Sequence, residues 1–267
     1  MHGAPIPPSI KKLLVPAEYV EDWGFQTNGQ MCQFYGAPVC SITKKADETQ
    51  APSTQFFFLE NDLKLGTNRT FNFIASTNRV SLLPHKISLL VPFSSKKMMD
   101  IVEAFMIKPT SREATAMRNT IDMCEAPAIQ GEQKKCVSSI ESMIEFSTSK
   151  LGKNVQALAS EIEQGTKPQK YIIVGLKNME NDKTIACHKQ MYPYAIFNCH
   201  LTFGTNVHKV SLIGLDGAKV KGVAICHKDT SAWSPNHLAF YELKVKPGTV
   251  PICHFLPGDD ILWIGKK

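Results

Sequence analysis

The chain has 267 residues, 43% of them apolar and 20% charged, with a formal net charge of +6. That is enough apolar material for one large domain or two small ones. No apolar run approaches the ~20 residues a membrane helix needs, and no Lys/Arg cluster is interleaved with aromatics, so neither a membrane nor a nucleic acid is the expected partner. The start, Met1-His2-Gly3-Ala4-Pro5, lacks the charged opening and apolar run of a signal peptide. Eight cysteines, an even number, fit a disulfide framework formed in an oxidising compartment. One sequon, Asn68-Arg69-Thr70, is compatible with secretion.

Residues 1–52 read as an irregular arm, with prolines at 5, 7, 8, 16, 38 and 52 and no helical periodicity. Cys32 and Cys40 in this arm are close enough in sequence to close a small loop. Residues 53–165 read as mixed and then helical. Phe56-Phe57-Phe58-Leu59 is predicted to be a buried strand, and Met98, Met99, Ile101, Val102, Phe105 and Met106 recur at helical spacing after Ser94-Ser95. Two further helices carry capping boxes, Thr110 with Glu113 and Ser138 with Glu141, and the second is expected to stop at Gly152. Cys124 and Cys136 bracket the loop between them, so a disulfide there would pin two helix ends.

From about residue 170 the period changes to two. Residues 171–174, 195–197, 207–213, 220–226 and 238–245 all read as strands, and Asp216-Gly217 signals a hairpin turn. Strands do not alternate with helices, which argues against a parallel nucleotide-binding sheet. The expectation is an α+β chain: a helical middle segment packed with a largely antiparallel C-terminal half, stapled by disulfides.

The chemistry-bearing pattern lies in that C-terminal half. Cysteine and histidine adjoin four times, as Cys187-His188, Cys199-His200, Cys226-His227 and Cys253-His254, separated by ten, twenty-five and twenty-five residues. Neighbouring side chains on a strand point to opposite faces. Each dipeptide can therefore place its sulfur on one face and its imidazole on the other. Four sulfurs pairing as two disulfides would then hold four imidazoles rigidly around a separate cavity. Structural zinc sites space cysteines two to four residues apart, and no such pair occurs here. A disulfide sulfur is no thiolate ligand, which leaves nitrogen. Imidazole suits zinc, copper, iron and nickel, with divalent affinity peaking at copper. Copper, zinc, and histidines that are merely structural all stay open on these residues alone.

The Cys-His series, with Trp233 after the third pair, resembles the defining pattern of the plant BURP-domain family. Further stretches are similar to it: Phe56-Phe57-Phe58-Leu59-Glu60-Asn61-Asp62-Leu63, Pro92-Phe93-Ser94-Ser95, Cys124-Glu125-Ala126-Pro127, Gly131-Glu132, Cys136, Ser142-Met143, residues 187–194 and residues 246–251. The resemblance covers residues 53–267 and leaves the arm unassigned. It implies the BURP-domain fold, plant origin, and a secretory route to the apoplast or the vacuole. It also implies that His188, His200, His227 and His254 ligate Cu2+, as in those family members that resemble copper-dependent peptide cyclases, with dioxygen as oxidant. Such enzymes join a tyrosine oxygen or tryptophan ring to another residue of a ribosomally made precursor peptide. Tyr192, Tyr194 and Trp233 lie near the motif and are possible peptide-contacting residues, with core packing as the alternative. His208 and His237 lack a preceding cysteine and are left out of the ligand set.

In self-processing members the core peptide precedes the domain. Gln30-Met31-Cys32-Gln33-Phe34-Tyr35 has a loose likeness to such a core, but Cys32 sits awkwardly within it, so a separate precursor is the expected substrate. The competing expectation is a non-catalytic cell-wall or seed scaffold. No Gly-x-Ser-x-Gly elbow, phosphate-binding Gly-Lys-Ser/Thr loop or His-Glu-x-x-His motif points elsewhere. Local pairing suggests Cys32 with Cys40 and Cys124 with Cys136, leaving Cys187, Cys199, Cys226 and Cys253 to pair among themselves.

Overall fold

The computed structural model describes residues 56–73, 80–128, 132–163, 168–179 and 181–266. The arm at 1–52, with Cys32, Cys40 and the core-like stretch at 30–35, lies outside the described residues. Within them the chain is α+β, with short helices in the middle and antiparallel strands dominating the second half.

The strands are β1 (Phe57–Leu59), β2 (Asn68–Phe71), β3 (Gln133–Val137), β4 (Val155–Leu158), β5 (Glu161–Ile162), β6 (Gln169–Asn178), β7 (Lys183–Gln190), β8 (Ile196–Phe203), β9 (Thr205–Gly214), β10 (Lys219–His227), β11 (Ile252–Phe255) and β12 (Ile261–Gly265). They form two sheets. One runs β1-β11-β10-β9-β6-β2, with β5 added beside β10, and the other runs β3-β8-β7-β12-β4. The pairings in both are antiparallel. The Asp216-Gly217 turn joins β9 to β10 as its sequence predicts: Gly217 takes φ 86°, and Asp216 Oδ1 accepts from the Ala218 amide at 2.9 Å.

Alternation along the strands sorts three apolar layers. On one face of β9 and β10, Val207, Val223 and Ile225 meet Ala186, Leu262 and Ile264 of the other sheet, so the two sheets pack face to face. The opposite face of the larger sheet holds Phe58, Phe71, Phe73, Tyr171, Val210, Leu212 and Phe255. Phe58 of β1 and Phe71 of β2 come from opposite ends of the strand order, yet their rings are 5.4 Å apart. The larger sheet is therefore rolled around its own phenylalanines. Each fully buried ring contributes about 1.5–3 kcal/mol relative to exposure.

The outer face of the smaller sheet is covered by helices. These are α1 (His85–Ser88), α2 (Met98–Ala104), α3 (Arg112–Glu125) and α4 (Ile140–Leu151), with α5 (Leu238–Leu243) later in the chain. Met143 and Phe146 of α4 pack on Ile185, Phe197, Leu201 and Trp263. Met98, Ile101, Val102, Met117 and Ile121 of α2 and α3 form a neighbouring core.

Several local expectations shift. The caps lie one residue later than the boxes suggest: Ser111 Oγ accepts from Ala114 N, and Ser139 Oγ from Ser142 N. Both are serines preceded by another Ser or Thr, so the box spacing is ambiguous by one. The α4 stop at Gly152, with φ 85°, is where it was predicted. Met106 lies beyond α2 and is 86% exposed rather than on an apolar stripe. Residues 238–245 are not a strand. His237 Nδ1 caps the Ala239 amide, Ala239 and Phe240 face inward, and Lys244 closes the turn in the left-handed region, giving helix α5. Cys124 does bond Cys136, but Cys136 stands on β3, so the disulfide ties the end of α3 to a strand rather than to a second helix.

Candidate metal centre

The Cys-His dipeptides sit on β7, β8, β10 and β11, and strand register determines their geometry. In the smaller sheet Cys187 directly opposes Cys199, and in the larger one Cys226 opposes Cys253. Both opposed pairs are disulfides, with Cα–Cα separations of 3.9 and 4.0 Å. They close loops of 12 and 27 residues, worth about 3 and about 3.5 kcal/mol on the loop-entropy account. When two cysteines oppose each other on antiparallel strands, the residue after each lands diagonally on the other face. His188 and His200 are such diagonal neighbours, and so are His227 and His254. The sulfurs fall in the cores behind each sheet. The imidazoles fall on the faces where the sheets meet.

His188 Nε2 and His200 Nε2 are 3.1 Å apart, and His227 Nε2 and His254 Nε2 are 3.4 Å apart. The His227 and His254 rings are nearly parallel, 16° from coplanar, with centroids 5.5 Å apart. The two pairs approach from opposite sheets: His227 lies within electrostatic reach of His254, His200 and His188.

The Nδ1 atoms of three of the rings have partners that favour a proton there. His188 Nδ1 donates to Asp260 Oδ2 at 2.8 Å, and Asp260 is 1% exposed, its second oxygen accepting from the Lys189 amide. His200 Nδ1 donates to Glu132 Oε1 at 3.0 Å. His254 Nδ1 donates to the Phe255 carbonyl at 3.3 Å. With Nδ1 protonated, a neutral imidazole presents a bare lone pair at Nε2. With both rings neutral in that tautomer, His188 and His200 would aim two lone pairs at each other at hydrogen-bond distance. A shared cation would resolve that repulsion. Two nitrogens each ~2.0–2.1 Å from one ion stand roughly 2.9–3.4 Å apart for angles between square and tetrahedral, which both pairs match.

Protonation is disfavoured at three of the four rings. Burial, reinforced by neighbouring imidazole charge, lowers His200 and takes His227 well below the ordinary range. Burial brings His254 down to about 4. A ring kept neutral by its surroundings is a ring available to a metal.

Carboxylates behind metal-ligating histidines fix the ring and raise its basicity. Glu132 and Asp260 hold that position here, and neither role was read from the sequence. Asp260 is 72 residues from His188 and reaches it because Ile261 pairs with Cys187. Glu132 reaches His200 because Lys134, two residues on, opposes it.

The remaining sequence-selected residues separate cleanly. Trp233 stands edge-on to His227 with centroids 5.1 Å apart and is half-buried. Tyr192 and Tyr194 are instead packing residues, 0% and 6% exposed, against Phe93, Phe105 and the helices. They present no surface to a peptide. His237 packs on Trp233 and on Phe57, whose ring touches His254, so it borders the site although no cysteine precedes it. His208 lies on the far face of β9, bonded to Glu60 at 3.0 Å. Glu60, His208 and Cys226 bring ligand atoms within 4.8 Å of one another. The Cys226 sulfur is committed to its disulfide, so this cluster offers two ligands only.

Residues 56–265 match the family model described as the BURP domain. The chain belongs to the BURP-domain family. It is similar to BURP domain protein RD22 of Arabidopsis thaliana, 46% identical over 228 residues, which are 82% of this chain and 58% of the relative. BURP domain-containing protein 3 of Oryza sativa subsp. japonica is 44% identical over 82% of this chain and 53% of its own length. BURP domain-containing protein 5 of the same plant is 40% identical over 98% of this chain and 83% of its own. The chain thus spans little more than half of the first two relatives. Their BURP-domain names state no activity. The three disulfides among the described residues fit an oxidising compartment. Among the described residues no helix is long and apolar enough to cross a membrane.

Proposed function

We propose that His188, His200, His227 and His254 bind copper and that this BURP domain is a secreted, copper-dependent peptide cyclase. The observation that carries the reading is that the Nε2 atoms of His188 and His200 face each other at 3.1 Å, each ring backed by a carboxylate. An all-nitrogen donor set of borderline softness in an oxidising compartment suits Cu(II). Bound copper supplies one-electron oxidation of a phenol or indole, with dioxygen as terminal oxidant. The net reaction joins two side chains with loss of two hydrogens, which dioxygen takes up.

The residues of the chain provide the setting. Asp260 and Glu132 hold the Nδ1 protons of His188 and His200, so those rings cannot turn away. The two disulfides keep the ligand strands in register. Trp233, half-buried beside His227, offers an aromatic edge against which a substrate tyrosine or tryptophan packs. The substrate is a tyrosine- or tryptophan-bearing precursor peptide supplied as a separate chain, in the secretory pathway, apoplast or vacuole.

The test is to incubate copper-loaded protein with such a peptide in air and under argon. The reading predicts a product two hydrogens lighter, formed only in air and only with copper. Copper that binds without any peptide turnover would favour the scaffold alternative. A two-hydrogen loss within residues 19–35 of the protein itself would move the substrate into this chain.

A further inference from the structure

The sequon Asn68-Arg69-Thr70 opens β2, which ends the hydrogen-bonded path of the larger sheet. Strand alternation turns Arg69 and Phe71 towards the rolled interior, where Phe71 is 2% exposed, and turns Asn68 out into solvent. The terminal strand leaves room beside Asn68 that a central strand lacks.

The surface next to Asn68 is unusually apolar. Its directly opposed partner on β6 is Ile172, and the partner of Ile172 on β9 is Ile213. Ile172 and Ile213 are 37% and 38% exposed, and Val174 and Leu215 nearby are 51% and 68% exposed. This row lies on the outward face of the rolled sheet, the face that near His227 meets the smaller sheet. Beyond that overlap the apolar row is partly exposed. Exposed apolar patches beside a terminal strand invite association unless something covers them.

We propose that Asn68 is N-glycosylated and that the first sugars of its glycan lie over the Ile172–Ile213 row. The Asn68 amide nitrogen forms a bond to the anomeric carbon of a lipid-diphosphate-linked oligosaccharide. The bond from that carbon to the diphosphate oxygen breaks, the amide proton is released, and the lipid diphosphate departs without any change of oxidation state. The cross-strand disulfide Cys226–Cys253 in the same sheet indicates the oxidising compartment in which such donors act. On β10 the row ends at Lys219, the partner of Ile213, and His227 is eight residues further along the strand, roughly 26 Å away at the usual rise. The glycan therefore leaves the imidazoles open. This inference is independent of the copper reading.

The experiment is glycopeptide mass spectrometry on the full chain directed into the secretory pathway of plant cells by an added leader, with Asn68→Gln, Thr70→Ala and Thr70→Ser variants beside it. The expected result is a glycan on the peptide containing Asn68, absent in Asn68→Gln and Thr70→Ala and present in Thr70→Ser. Enzymatic removal from the folded wild type should convert Asn68 to Asp and raise binding of a hydrophobic dye several-fold, with copper binding unchanged. This second measurement stands even where a variant fails to accumulate. An unmodified Asn68 in protein from the cells or the medium overturns the proposal, as does a modification that survives Thr70→Ala. Dye binding indifferent to glycan removal overturns the cover over Ile172 and Ile213.

Discussion

The His188–His200 pair and the His227–His254 pair share one backbone arrangement and differ in what stands behind the rings. In each, opposed cysteines form a cross-strand disulfide and the following histidines meet diagonally on the other face. Behind the first pair are two carboxylates, Asp260 and Glu132. Around the second are the rings of Trp233 and Phe57, and the Nδ1 partner of His254 is a neutral carbonyl. The same strand pattern thus yields an anionic, firmly oriented pair and an apolar, aromatic-flanked one. On the proposed copper reading the first pair would hold the cation more tightly, because carboxylates offset its charge. The second has the surroundings in which an aromatic substrate packs.

The strongest way to break this comparison is to remove one ring from each pair. His188→Ala is expected to lower copper affinity at the carboxylate-backed pair by at least ~100-fold, read by metal analysis after gel filtration, while nitrogen coordination at the other pair persists. A next, smaller effect sharpens the difference. Asp260→Asn should weaken copper at this pair by about 10–100-fold, and Glu132→Gln by less, because Glu132 is 23% exposed and water can replace it. Competition with a chelator measures both, and equal effects would contradict the ranking.

The apolar pair carries a pH signature. In the unfolded chain a histidine titrates near ~6.5, whereas buried His254 is lowered to about 4. As pH falls from about 6.5 the unfolded chain takes up the proton first, so the metal-free protein loses stability down to about pH 4. Above about 6.5 that contribution is fully present. For His254 the loss is on the order of 3 kcal/mol, with His227 adding in the same direction. Denaturant midpoints of metal-free protein across this range measure it, and a flat profile would contradict the burial argument. The smallest expected effect is at Trp233. Trp233→Leu should leave copper content unchanged and slow peptide cyclisation by roughly 2–10-fold, the value of one aromatic contact.

Much of this architecture was legible because it depends on local periodicity. The two-residue alternation of a strand is enough to place Cys and His of one dipeptide on opposite faces. Asp216-Gly217 and Gly152 announced a turn and a helix stop through backbone conformations that favour glycine. Residues 238–245 misled because six helical residues show too little of a 3.6-residue period to distinguish from alternation, and the cap that settles the matter is a histidine, an uncommon capping residue. Tyr192 and Tyr194 were close to the motif in sequence, but α2 and α3 close over them, and helix docking leaves no local trace. Asp260 and Glu132 were invisible as orienting groups for the same reason: only the pairing of β12 with β7 and of β3 with β8 brings them to the rings.

The central claim is that facing imidazole pairs hold copper. Electron paramagnetic resonance of the protein reconstituted with Cu(II), beside His188→Ala and His254→Ala, tests it most directly. The account predicts a stoichiometric, nitrogen-coordinated Cu(II) signal that each variant diminishes or alters in a different way. Copper that binds below stoichiometry, or a spectrum indifferent to both substitutions, would contradict it and leave four structural histidines flanked by disulfides.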